Sequence, residues 1–134
     1  MSRDRELAIL RAILAFAILS TVLHFTHNFV EIDRYPPGFL GEDVIKALIP
    51  ITWPLYTAIA LLGYRLYAGG RLRPARIALV AYGLFAMTSL LHFAVGTPDV
   101  PAFWFATIFT DGLSGIAVIA FTVWSARARA APAT

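Results

Sequence analysis

The chain has 134 residues, 59% of them hydrophobic and 14% charged, with no cysteine and a formal net charge of +3. Ordinary globular chains are about 45–50% apolar and about 25% charged, and a water-soluble domain this short needs more polar surface than that. With a mean hydropathy of +0.72, the composition points to one membrane-embedded domain and away from a soluble enzyme. The lack of cysteine excludes a disulfide framework, a thiol nucleophile, iron–sulfur ligation and dithiol chemistry.

Crossing a bilayer takes about 20 apolar residues, and such runs occur four times. The first covers about 7–29 and ends in His24, His27 and Glu31. Arg3 and Arg5 precede it, as in a signal peptide, but the run is too long and lacks small residues at its end, so a retained helix is expected. The Tyr35-Pro36-Pro37-Gly38 stretch divides it from a second run over about 44–62. Gly69, Gly70 and Pro74 precede the third, 77–95, and Gly96-Thr97-Pro98 precede the fourth, 102–124. Dividers this short force antiparallel neighbours, so the expected fold is all-α, an up-down bundle of four transmembrane helices. No internal repeat is evident, and the Ala/Arg tail over 126–134 is expected to fray.

Charge sets the expected orientation. Arg3, Arg5, Arg11, Arg65, Arg71, Arg73, Arg76, Arg127 and Arg129 fall on one side, and only Arg34 and Lys46 on the other. The excess of basic residues on cytoplasmic segments then places both termini and the middle loop in the cytoplasm, with the plasma (cytoplasmic) membrane as the expected location. The pI of about 9.7 is thereby a topology signal, and no nucleic-acid partner is expected.

Polar residues gather in the expected outer half. Ser20, His24, His27, Asn28 and Glu31 recur at spacings of three and four, along one helix face. The third helix adds Thr88, Ser89 and His92, and the fourth Thr107, Thr110, Asp111 and Ser114. The second adds Thr52 and Tyr56 beside Trp53. At 1.5 Å per residue, His24 lies about 9 Å, His92 about 5 Å and Asp111 about 13 Å below the outer ends of their helices. Ionisable groups in hydrocarbon are costly unless they face a bundle interior or a wet cavity, which predicts one polar pocket with Glu31 at its mouth.

Plainer roles compete for several of these. Thr52, Thr88 and Thr110 suit bonds to helix carbonyls, and His92 suits a structural place at the interface. Trp104, Trp124, Tyr35 and Tyr64 read as interfacial belt residues, and Arg11 as a snorkelling cation. Asp111, a lone deep carboxylate, needs a partner or a proton. His24, His27 and Glu31, with His92 or Asp111, could also be spaced for a metal, and His24 with His92 for a haem. The primary reading requires no cofactor.

His27-Asn28-Phe29-Val30-Glu31, Trp53-Pro54-Leu55 and Phe103-Trp104-Phe105 followed by Asp111 together resemble the EXPERA family, the four-helix membrane fold of sterol isomerases and the sigma-2 receptor. The resemblance implies a pocket that admits a sterol-like ligand from the bilayer. It also implies proton transfer through a carbocation-like intermediate, with His27, Glu31 and Asp111 as the catalytic set. Lys46 falls near the place of the family's second catalytic Glu, and Ser114 stands where the family has Trp.

The expected function is binding of a small apolar or amphipathic ligand, sterol- or isoprenoid-like, with double-bond isomerisation as the enzyme reading. In that reading His27 exchanges the proton, Glu31 sets its basicity and Asp111 stabilises positive charge. His24, Asn28, Trp53, Tyr56, His92, Thr107 and Ser114 are the expected ligand-binding residues. The alternatives are a carrier, which would need a homodimer to build two gates, an accessory subunit of a membrane complex, or the metal or haem site.

Overall fold

The computed structural model describes residues 2–36, 38 and 40–130. It is all-helical over these residues, with four helices long and apolar enough to cross a membrane. Helix α1 is Arg3–Val30, α2 is Glu42–Ala68, and α4 is Ala102–Ala130. Between them, α3 runs over Leu72–Val95. It is α-helical to Met87, tightens to a 3-10 turn over Thr88–Leu91 and closes with one α turn, His92–Val95.

All four helices outrun the apolar runs that predict them, because their ends are fixed by caps and tertiary bonds rather than by hydropathy. Ser2 caps α1 by accepting from the Arg5 amide, with Asp4 and Glu6 in the first turn, where acidic groups complement the helix dipole. Pro50 and Pro54 lie inside α2 without ending it. Between α2 and α3 the chain turns at Gly70, whose φ of 77° lies in the left-handed region that glycine enters without penalty.

Each helix packs against its neighbours in the chain, and α1 closes the ring against α4. The α1–α2 seam is the loosest of the four. Leu10, Leu14, Ala17, Leu79, Tyr82, Val118 and Phe121 form the centre of the core. The tightest approach is α3 on α4: a Cβ added to Gly115 would come within 2.4 Å of the Gly83 carbonyl oxygen.

One end of the bundle carries the start of α1, the end of α4 and the α2–α3 turn. There Glu6, 6% exposed, accepts from Tyr67 Oη at 2.9 Å and pairs with Arg129. Arg3 donates to the Ala68 carbonyl. This ties α1, α2 and α4 together and overturns the expectation that the tail frays from residue 126: the helix continues to Ala130. Residues 131–134 of that tail, and Pro37 in the first divider, lie outside the described residues. At the other end, the two remaining connections meet where the Asp99 amide donates to the Arg34 carbonyl at 2.9 Å.

Candidate functional site

The polar residues form two tiers in the half of the bundle nearer the two-connection end. The upper tier is built on the last turns of α1. His24, His27 and Asn28 share one face there and are all buried. Tyr35 folds back onto them from just past a 3-10 turn over Ile32–Arg34. Its hydroxyl and His27 Nδ1 are 2.8 Å apart, a bond in which either atom can donate. The His27 ring also stacks on Trp104 of α4, with centroids 4.5 Å apart. From α3, His92 lies 4.9 Å from the Tyr35 ring and 5.3 Å from the His24 ring, and its Nε2 is 3.3 Å from Asn28 Nδ2.

Tyr35 is 3% exposed, which corrects its reading as a belt residue at an interface. Burial pushes its hydroxyl up to about 12, so it keeps its proton, and can donate it, throughout the neutral range. Nothing in the hydropathy pattern marks it, because it sits in a connection before Pro36 with no helical period to betray its direction.

The lower tier joins α1, α3 and α4. Thr21 Oγ1 is 2.6 Å from Asp111 Oδ1, 2.9 Å from the Ala17 carbonyl and 3.5 Å from Tyr82 Oη. Beside it, Ser20 and Thr110 share a 2.6 Å bond. Asp111 is fully buried. Thr21 is about one helical turn below His24, so Asp111 belongs to a layer beneath the histidines. Sequence reasoning missed Thr21 and Tyr82, although Thr21, His24 and Asn28 at i, i+3 and i+7 follow the stripe that reveals the histidines.

Three buried side-chain atoms here have no protein partner among the described residues: His24 Nδ1, Asn28 Oδ1 and Asp111 Oδ2. Unpaired buried polar atoms are rare and need an explanation. A cavity of about 260 Å³ opens against this cluster. Asn28, Tyr35 and His92 supply its main polar groups, and Ile32, Ile45 and Leu91 part of its apolar wall. A separate recess of about 300 Å³ is bounded by His27, Glu31, Arg34 and Trp104.

The remaining expected site residues are placed as follows. Glu31 sits at the rim, its carboxylate 2.9 Å from Arg34 Nε, while the hydrogen bond at His27 Nδ1 goes to Tyr35. Thr107 and Ser114 donate to the carbonyls of Trp104 and Asp111 on their own helix. Thr52 and Thr88 do the same within α2 and α3. Tyr56 stacks on Phe85, and Trp53 lies in the α1–α2 seam, both apart from the histidine cluster. Among the described residues, no group of three or more His, Asp or Glu side chains converges in a way that could hold a metal ion. Comparison of the chain with protein-family models, with curated proteins and with solved structures gave no match.

Proposed function

We propose that the chain is an integral membrane protein that binds a small amphipathic molecule in the cavity bounded by Asn28, Tyr35 and His92. The carrying observation is that cavity: apolar walls with a few converging polar groups on one side, the usual make-up of a ligand site. Its volume of about 260 Å³ lies just below the usual range of ligand pockets, which starts near 300 Å³. A slender, isoprenoid-like ligand fits that size better than a four-ring sterol. Asn28 and His92 would take the polar end of the ligand, with the apolar part against Ile45 and Leu91.

The membrane placement is supported by the four apolar helices and by the outward-facing Phe16, Leu19, Ile51 and Leu55. The excess of basic residues at one end supports a cytoplasmic side for both termini and the α2–α3 turn, and with it an outer-half position for the histidine cluster. The chemistry that suits the site is proton exchange. A double-bond shift delivers one proton to an alkene carbon and removes another from the carbon beside the resulting cation. His92 is the imidazole that lines the cavity and so the exchanging group in this reading, whereas His27, bonded to Tyr35 rather than to Glu31, lines the neighbouring recess.

Native mass spectrometry of the purified protein, with solvent extraction of what it carries, tests the binding. The reading expects a co-purifying amphiphile that is lost from the His92→Ala and Asn28→Ala variants. Unchanged retention in both, with the variants folded, would overturn it.

A further inference from the structure

A second concavity lies outside the histidine cluster, in the loose seam between α1 and α2. A groove of about 190 Å³ runs there, walled by Val22, Phe25 and Phe29 on one side and Ile49, Pro50 and Trp53 on the other. Trp53 lines the groove, and its indole N–H, a donor only, is buried with no acceptor among the described residues. An unpaired buried donor is costly, so this wall suits an apolar occupant that carries one acceptor.

The mouth of the groove is charged. The Lys46 ammonium lies 5.6 Å from the centre of the Phe29 ring and forms no ion pair among the described residues, whereas Arg34 is taken by Glu31. One turn further out, Glu42 and Asp43 begin α2. Glu42, Lys46, Ile49 and Trp53 are spaced at i, i+4, i+7 and i+11, along one face of the helix. Read inward from the end of α2, that face presents a carboxylate, then an ammonium about 6 Å deeper. An apolar wall follows, with a hydrogen-bond donor about 10 Å below the ammonium.

A zwitterionic glycerophospholipid presents the complementary order: ammonium, phosphate, then an ester carbonyl at the head of an acyl chain. We propose that the α1–α2 groove is a seat for one such lipid. Its phosphate pairs with Lys46, its ammonium faces Glu42 and Asp43, and its ester carbonyl accepts from Trp53 while one chain lies along Phe25 and Ile49. The narrow volume suits a single chain, and the acidic pair disfavours a purely anionic headgroup. The proposal rests on the membrane placement above but is independent of the histidine-lined cavity.

The test is native mass spectrometry of the delipidated protein offered equal amounts of phosphatidylethanolamine, phosphatidylcholine and phosphatidylglycerol with identical chains. Both zwitterionic lipids should be retained over phosphatidylglycerol by about fivefold, the upper end of what one exposed ion pair contributes. Lys46→Gln and Trp53→Phe should each lower retention of all three, and Glu42→Gln with Asp43→Asn should erase the preference. Equal retention of phosphatidylglycerol, or variants that bind as the parent does while unfolding at the same temperature, would overturn the seat. Alkaline carbonate extraction of the full chain separates the two failures: a protein released from membranes sinks the placement and the seat together. A protein that stays in the membrane but shows no selectivity sinks the seat alone.

Discussion

Thr21 Oγ1 lies 2.6 Å from Asp111 Oδ1, and among the described residues this hydroxyl is the sole side-chain partner of a fully buried carboxyl group. Replacing Thr21 by Val keeps the shape and strips the partner away, leaving both oxygens of Asp111 unmet. The expected cost is about 1–3 kcal/mol, the penalty of an orphaned buried polar group, and Thr21→Ser should recover most of it. Interhelical hydrogen bonds in membranes average only about 0.6 kcal/mol in double-mutant cycles. Thermal unfolding in detergent of Thr21→Val, Asp111→Leu and the double variant reads the coupling. If the two single losses simply add, the pair is not a unit.

The Tyr35 hydroxyl gives a pH signature. Unfolded, it releases its proton near 10.0, whereas in the folded chain burial holds the proton until about 12. Between those values the unfolded chain carries fewer protons than the folded one, so stability falls as pH rises through that window. Tyr35→Phe should remove this share of the alkaline loss. It should also free His27 Nδ1, which nuclear magnetic resonance of the imidazole nitrogens would detect as a changed tautomer balance. An alkaline unfolding curve that is the same with and without the hydroxyl would show that Tyr35 titrates like an exposed phenol.

Hydropathy and charge spacing make the four helices and the polar stripe of α1 legible, because a 3.6-residue period needs no tertiary knowledge. His24, His27, Asn28 and His92 meet as that stripe implies. The closest partners do not announce themselves in the same way. Tyr35 reaches His27 from an irregular connection, and Thr21 reaches Asp111 only because α1 and α4 settle at one rotation. Thr107 and Ser114 show the converse: their spacing with Asp111 marks a face, yet their hydroxyls turn back to their own helix, a choice of side-chain rotamer that sequence does not encode visibly. Glu6 is the largest omission. It looks like an ordinary acid in a first helical turn until the far end of the chain brings Arg129 to it.

The Glu6 contact makes the end of α4 part of the bundle's stability. Glu6 is buried and accepts from Tyr67 Oη while pairing with Arg129, and the Arg129 guanidinium also lies over the Tyr67 ring at 5.8 Å. Glu6→Ala should cost about 1.5–3 kcal/mol, the range for hydrogen bonds to a charged group. Arg129→Gln should cost less, since the freed guanidinium position is partly exposed and Glu6 keeps Tyr67. Limited proteolysis with trypsin at Arg127 and Arg129 checks the order. Cleavage should accelerate in Glu6→Ala, and resistance equal to the parent would mean that the tail is held by other contacts.

The α3–α4 approach offers the clearest contrast between two glycines on one helix. A methyl group on Gly115 would meet the backbone oxygen of Gly83 at 2.4 Å, and backbone cannot step aside without parting the helices. A methyl group on Gly112 would meet the Leu90 side chain at 2.6 Å, whose rotamer can change. In an open helix either change to Ala would gain about 1 kcal/mol of helix propensity, so a net loss reports the clash directly. Gly115→Ala should lose about 1–3 kcal/mol, as overpacked interiors do, and Gly112→Ala should lie near zero. Because Gly115 stands one turn below Asp111 on the same helix, parting α3 from α4 there should also lengthen the Thr21–Asp111 bond. The coupling measured between those two residues should therefore shrink in the Gly115→Ala background. An undiminished coupling would show that α4 can shift at Gly115 without disturbing the tier above.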